Sequence, residues 1–251
     1  MNLLHVFILS IVEGITEFLP ISSTGHLILT AKLLDISASD FTKTFEVVIQ
    51  LGAILAVVVL YFKKFFQSFD IYKKLMVAFI PTAIVGFFLY PFIKGYLLGS
   101  SQVVVWSLFI GGIVIILFEK YHKPSNSQPL TLKQYFLIGI FQSLSVIPGV
   151  SRAAATIIGG LVTGLNREKA TEFSFLLAVP TMIAASALDI YKSRQIIMSG
   201  NLPTLFIGTL LSFIFALITV KFLIGYVKKH SFSAFGVYRI ILAILFWILV
   251  K

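Results

Sequence analysis

Six runs of this chain stay apolar over roughly the 20 residues that a helix needs to cross a bilayer, and that fixes its solvent before anything else. They lie near Phe45–Phe62, Leu75–Ile93, Gln102–Phe118, Ala170–Ile190, Leu205–Leu223 and Phe235–Val250. Lipid offers the backbone no hydrogen-bond partner, so each run must satisfy its own N–H and C=O groups as helix. The expected fold class is an all-α polytopic membrane protein. Composition agrees: 58% of the residues are hydrophobic and 12% charged, about half the charged share of a soluble domain. One membrane domain spanning 1–251 is the simplest organisation.

Two further apolar regions are interrupted. Leu3–Leu19 breaks at Pro20-Ile21-Ser22-Ser23-Thr24-Gly25 and resumes at His26–Leu34. Tyr135–Ile147 breaks at Pro148-Gly149-Val150-Ser151 and resumes at Arg152–Leu165. Each half is too short to span, so each region reads as a re-entrant helical hairpin. Such backbone is tolerated at depth only inside protein or beside a cavity. Pro20-Ile21-Ser22-Ser23 matches Pro148-Gly149-Val150-Ser151 half a chain later, pairing Ser23 with Ser151, and Thr44-Phe45-Glu46 resembles Ala170-Thr171-Glu172-Phe173. The expected plan is therefore two repeats, 1–125 and 126–251. Each holds one hairpin and three spans, an odd number, so the second repeat is inverted. Paired broken segments in corresponding halves point to a site near the midplane.

Absence of Cys excludes disulfides, thiol catalysis and Cys-based metal sites. The net charge of +10 is carried by Lys residues in short loops, which suits cytoplasmic anchoring rather than nucleic acid. One side would hold Lys63, Lys64, Lys73, Lys74, Lys120, Lys123, Lys133, Arg167, Lys169, Lys221, Lys228 and Lys229. The other would hold Lys32, Lys43, Lys94, Lys192, Arg194 and Lys251. The richer side is expected in the cytoplasm, with the termini and the mouth of the first hairpin outside. Glu13 and Glu17 interrupt the N-terminal apolar run, which also lacks a basic start, so it does not read as a cleavable signal.

The first hairpin concentrates Glu13, Thr16, Glu17, Ser22, Ser23, Thr24 and His26. Glu13 and Glu17 share one helix face. An ionised group at mid-bilayer costs roughly 2.5–3.5 kcal/mol even on the lenient insertion scale. Such a pair must face a wet cavity, share a proton or bind a cation, and a divalent metal suits an oxygen-rich site. The N–H groups at Ser22, Ser23 and Thr24, and those at Ser151 and Arg152, open helices and favour anions. Arg152 can grip two phosphate oxygens with its planar fork. His26 lies three residues from Ser23, within reach as base for a Ser nucleophile.

Several of these residues also admit plain structural roles. Ser22 or Thr24 alone reads as a helix N-cap. Glu46 and Glu172 are expected in first turns of spans, where an acid complements the helix dipole. His5, His122 and His230 read as solvated or interfacial, Gln142 as a packing or hydrogen-bonding counterpart of Glu13, and Arg239 as a snorkelling cation. Glu13, Glu17, His26 and Arg152 lie too deep for such readings.

The run Glu13-Gly14-Ile15-Thr16-Glu17-Phe18-Leu19-Pro20-Ile21-Ser22-Ser23-Thr24-Gly25-His26 resembles the first signature of the undecaprenyl-diphosphate phosphatase family, of the bacitracin-resistance type. Pro148-Gly149-Val150-Ser151-Arg152 resembles its second. The segments Lys43–Gly52 and Glu172–Pro180 are similar to family segments too, so the resemblance covers nearly the whole chain. It implies hydrolysis of undecaprenyl diphosphate outside a bacterial plasma membrane, recycling the cell-wall carrier lipid, with Mg²⁺ or Ca²⁺ as cofactor. Family roles would fall on Glu13 and Glu17 (metal and catalysis), Ser23, His26 and Arg152. Ser22, Thr24, Gly25, Ser151 and Thr156 would contact substrate. One departure stands out. The family's Ser-Gly-Ala-Thr after the Arg is Ala153-Ala154-Ala155-Thr156 here.

The expected enzyme is a metal-assisted lipid-diphosphate phosphatase, with Ser23 or water as the attacking group. Its partners would be a polyprenyl diphosphate and membrane lipid, with a homodimer as the protein assembly and no nucleic acid. The rival is a lipid-phosphate or anion transporter, since paired broken helices are also transporter architecture. The crowding of carboxylates, His and hydroxyls into the first hairpin argues for chemistry.

Overall fold

The computed structural model describes residues 1–36, 39–92, 96–97, 100–122, 129–199 and 202–249, and among them there is no strand. The first half runs α1 (Leu3–Thr16), α2 (Ser23–Leu33), α3 (Asp40–Leu60), α4 (Phe62–Gln67), α5 (Phe69–Phe92) and α6 (Ser101–Tyr121). The second runs α7 (Leu132–Ser143), a 3-10 turn at Leu144–Val146, α8 (Arg152–Val162), α9 (Arg167–Lys192), α10 (Arg194–Ser199), α11 (Leu202–Val227) and α12 (Ser233–Leu249). The chain is an all-α polytopic membrane protein.

Five helices, α3, α5, α6, α9 and α11, are long and apolar enough to cross a bilayer. The sixth expected span is α12, whose 17 residues reach about 25 Å at 1.5 Å per residue. Ile93, Lys94, Lys123, Val250 and Lys251, used in the span and charge readings, lie outside the described residues. Helix starts follow local chemistry. Ser39 accepts from the Thr42 N–H at 3.2 Å and Asn166 from the Lys169 N–H at 2.9 Å. Thr131 and Gln134 form a reciprocal capping box.

Without a hydrophobic drive between helices in lipid, small residues govern how closely backbones approach. A methyl on Gly14 of α1 would meet the Ser212 carbonyl oxygen of α11 at 2.6 Å. Gly139 of α7 sits equally tight on the Ala78 backbone of α5, and Gly52 of α3 on the Thr209 backbone of α11. The packing exchanges helices between the halves: α1 lies on α11 while α7 lies on α5, and α3 meets α9 as α6 meets α12. Charged contacts tie these layers at the loop ends. Arg167 pairs with the buried Glu119, which also accepts from the Phe232 N–H at 2.9 Å. Lys64 pairs with Glu172 at 2.6 Å.

Two sequence expectations change here, and that for Gln142 stands. Glu46 and Glu172 lie in second turns, and the first-turn acids are Asp40 and Glu168. Arg239 does not snorkel, being only 1% exposed. Gln142 is a buried hydrogen-bonding residue, donating to Thr82 Oγ1 at 2.8 Å and Thr181 Oγ1 at 3.2 Å.

Candidate active site

Both breaks are built alike. Ser22 has φ 72° and its Oγ accepts from the Gly25 N–H at 3.3 Å. Ser151 has φ 44° and its Oγ accepts from the Ala154 N–H at 3.1 Å. A left-handed non-glycine residue stores about 1 kcal/mol or more and persists where surroundings over-determine it. The shared cap equates Ser22 with Ser151, and therefore Ser23 with Arg152. That register is one residue longer than the sequence pattern suggested, which paired Ser23 with Ser151. Ala153, Ala154 and Ala155 form the first turn of α8. A glycine there would cost the helix about 1 kcal/mol relative to alanine.

The two turns border one cavity of about 220 Å³. The first hairpin supplies Glu17, Ser22, Ser23 and Thr24, and the second Ser145, Ile147, Pro148, Gly149, Ser151 and Arg152. Gln50 of α3 and Met182 and Ala185 of α9 close it. Sequence reasoning missed these last three. Gln50 could have been flagged as a polar residue inside a span, but nothing marked Met182 or Ala185.

Glu17 joins the halves. Its Oε2 accepts from Ser23 Oγ, and its Oε1 accepts from Arg152 Nη2 at 2.8 Å. Arg152 Nη1 donates to the Ser174 carbonyl at 2.9 Å, and the guanidinium lies over the Phe18 ring at 5.6 Å. Its Nε is buried and has no protein partner. A buried donor left unpaired costs about 1–3 kcal/mol, so this N–H is poised for a ligand.

Glu13 lies behind Glu17 and is fully buried; no N–H or O–H donor reaches its carboxylate oxygens, and only the Glu17 carboxyl lies within hydrogen-bonding reach. The charges that act on it are Glu17, Glu46 and Arg152. No cluster of three or more His, Cys, Asp or Glu occurs among the described residues. Mg²⁺ needs none: it commonly takes one or two carboxylates and fills the rest with water and phosphate oxygens. The orphaned oxygens of Glu13 beside Glu17 fit such a hard cation, and the donor set is all oxygen.

His26 is not placed as expected. Its Nδ1 meets the Ser22 carbonyl at 2.7 Å and its Nε2 meets Tyr238 Oη at 2.8 Å. A carbonyl only accepts, so Nδ1 carries a proton. In neutral imidazole Nε2 then accepts from the Tyr238 hydroxyl. Both ring nitrogens are engaged away from Ser23, whose hydroxyl proton points at Glu17. Gly25 contributes its N–H to the Ser22 cap. Thr156 lies on the buried side of α8, bonded to Ser174 Oγ of α9 at 2.6 Å and donating to the Arg152 carbonyl at 2.9 Å. Expected at the substrate, it is 1% exposed, lies outside the cavity lining and ties α8 to α9.

Comparison with known proteins identifies the family. The family model described as bacitracin resistance protein BacA matches residues 6–245. An undecaprenyl-diphosphatase of Aquifex aeolicus (strain VF5) is 52% identical over 243 residues, covering 95% of each chain. Those of Sulfurihydrogenibium sp. (strain YO3AOP1) and Persephonella marina (strain DSM 14350 / EX-H1) are 50% and 51% identical, covering 99% and 100% of each chain.

Proposed function

This chain belongs to the bacitracin resistance protein BacA family, and from that premise we propose that it hydrolyses undecaprenyl diphosphate to undecaprenyl phosphate and inorganic phosphate. The observation that carries the reading is Glu17, held at once by Ser23 of one hairpin and Arg152 of the other. Such a junction sets a nucleophile, a base and a phosphate-binding cation around one cavity. The names of the relatives favour this over the transporter reading.

The terminal phosphate docks on the N–H groups that open α2 and α8, and on the free Nε of Arg152. Glu17 takes the proton of Ser23 Oγ as the oxygen attacks phosphorus. The bond to the bridging oxygen breaks, and undecaprenyl phosphate leaves with that electron pair. Water then attacks the phosphoserine, and the proton held by Glu17 returns to Ser23 Oγ as phosphate departs. Arg152 neutralises equatorial oxygens in both steps, the main service a protein gives phosphoryl transfer. A divalent cation, Mg²⁺ or Ca²⁺, held by Glu13 with Glu17, would supply further charge neutralisation at the phosphate. His26 orients the first turn through the Ser22 carbonyl.

The placement we propose is the bacterial plasma membrane, with halves 1–125 and 126–251 inverted and the cavity opening outward. There the reaction recycles the cell-wall carrier lipid and gives resistance to bacitracin. The test is phosphate release from undecaprenyl diphosphate by purified protein, with and without chelator. Release that excess chelator abolishes is expected. Purified, folded protein that releases none in the presence of Mg²⁺ or Ca²⁺ defeats the reading.

A further inference from the structure

Arg239 has no part in the reaction above, yet among the described residues it is the largest fully buried side chain. A guanidinium at this depth is costly, and its bonds show what offsets the cost. Nη1 donates to the Pro20 carbonyl at 3.2 Å, and Nη2 to the Gly149 carbonyl at 2.9 Å. Nη2 also donates to the Ser107 carbonyl of α6 at 2.9 Å, and Nε to the Leu108 carbonyl at 3.3 Å. Pro20 and Gly149 each stand two residues ahead of the capping serine of a turn. One planar group therefore touches both breaks and fixes them to α6.

The preceding residue acts in the same place. Tyr238 Oη meets His26 Nε2 at 2.8 Å, with the two rings stacked at 5.6 Å and 4° between planes. The second turn has little room to move. Gly149 has φ 93°, and a methyl on it would meet Ser107 Cβ and the Val104 carbonyl oxygen, both at 2.8 Å.

We propose that Tyr238 and Arg239 of α12 are positioning residues that set the distance between the two hairpin turns, and so between Ser23 and Arg152. The proposal rests on the phosphatase reading for its kinetic consequence. Four of the five guanidinium N–H groups are occupied by carbonyls, so Arg239 is not a phosphate ligand. An ammonium is a point charge without the fork and does not span two turns and a helix together. A misplacement of about 1 Å at a reacting centre costs on the order of a hundredfold in rate.

The experiment compares purified Arg239→Lys, Tyr238→Phe and Gly149→Ala with the unmodified protein, measuring thermal stability, kcat and KM for undecaprenyl diphosphate. Arg239→Lys is expected to lose roughly a hundredfold in kcat with KM within about threefold, the pattern of a group that acts on the transition state alone. Gly149→Ala, which changes no charge but pushes the turn off α6, should fall in the same direction. Tyr238→Phe should fall less. Wild-type kcat in Arg239→Lys, even with lowered stability, would make the residue merely structural and overturn the proposal. Raised KM with kcat preserved would make it a substrate ligand and overturn it too. Should Arg239→Lys fail to fold, wild-type kcat in folded Gly149→Ala refutes the clamp.

A second readout does not depend on activity. The chain has no Cys, so Thr24→Cys with Ser145→Cys places one thiol on each hairpin, at the same cavity. Cross-linking by a short bifunctional thiol reagent should be efficient in this pair and should drop when Arg239→Lys is added. Unchanged cross-linking refutes the positioning role whatever the substrate proves to be. Absence of phosphate release by the unmodified protein, with the drop in cross-linking intact, defeats the phosphatase reading alone.

Discussion

Replacing Arg152 by Lys keeps the charge and removes the fork. Arg152 donates to Glu17 and to the Ser174 carbonyl through different nitrogens, and its buried Nε is still unused. A lysine ammonium in the same space keeps the attraction to Glu17 but does not also bond Ser174 and present an aimed N–H to phosphate. The catalytic loss is at least one charged hydrogen bond in the transition state, about 1.5–3 kcal/mol. At 1.36 kcal/mol per decade, that is roughly 10- to 150-fold in turnover. Arg152→Ala should be worse in both respects. It leaves Glu17, 7% exposed at its side chain, without its cation, and breaking a buried pair destabilises by about 3–5 kcal/mol. The assay is turnover and thermal unfolding on the same purified variants. Arg152→Lys should insert, unfold near the wild-type temperature and turn over slowly. A stable Arg152→Lys or Arg152→Ala protein with wild-type turnover would refute the phosphate-clamp role.

Ser23→Ala should lower kcat at least about a hundredfold with little change in KM, as expected when a group used only in the transition state is lost. Ser22→Ala should instead cost about 1 kcal/mol of stability through the lost cap. The reverse pattern, Ser22→Ala crippled and Ser23→Ala normal, would mean the wrong hydroxyl has been assigned. Glu13→Gln should bind Mg²⁺ or Ca²⁺ more weakly by calorimetry and need more cation for half-maximal rate, and full activity in excess chelator would sink the metal site. The Lys/Arg asymmetry predicts that Ser39→Cys reacts with an impermeant thiol reagent in intact cells while Lys229→Cys does not. The opposite labelling would reverse the topology.

Sequence by itself determined the solvent, the long spans, the two broken hairpins and the depth of the reactive residues. Every full span sought in it coincides with a helix, from α3 to α12, because an apolar run of bilayer length has one way to satisfy its backbone. Pro20 and Pro148 marked both breaks, and the cost of burying charge singled out Glu13, Glu17 and Arg152. The same argument applied to Arg239 would have ruled out a snorkelling role. Tertiary structure decided the pairing. Helix spacing put His26 within reach of Ser23, but a left-handed Ser22 turns the Ser23 hydroxyl back onto Glu17 and leaves His26 facing Tyr238. The decisive bonds, Glu17 to Arg152, His26 to Tyr238 and Arg239 to Pro20 and Gly149, join helices and turns far apart in sequence. Periodicity reports which face of a helix a residue occupies. Which foreign helix lies against that face is fixed by close approach at residues such as Gly14, Gly52 and Gly139, and that exists only once the halves have packed.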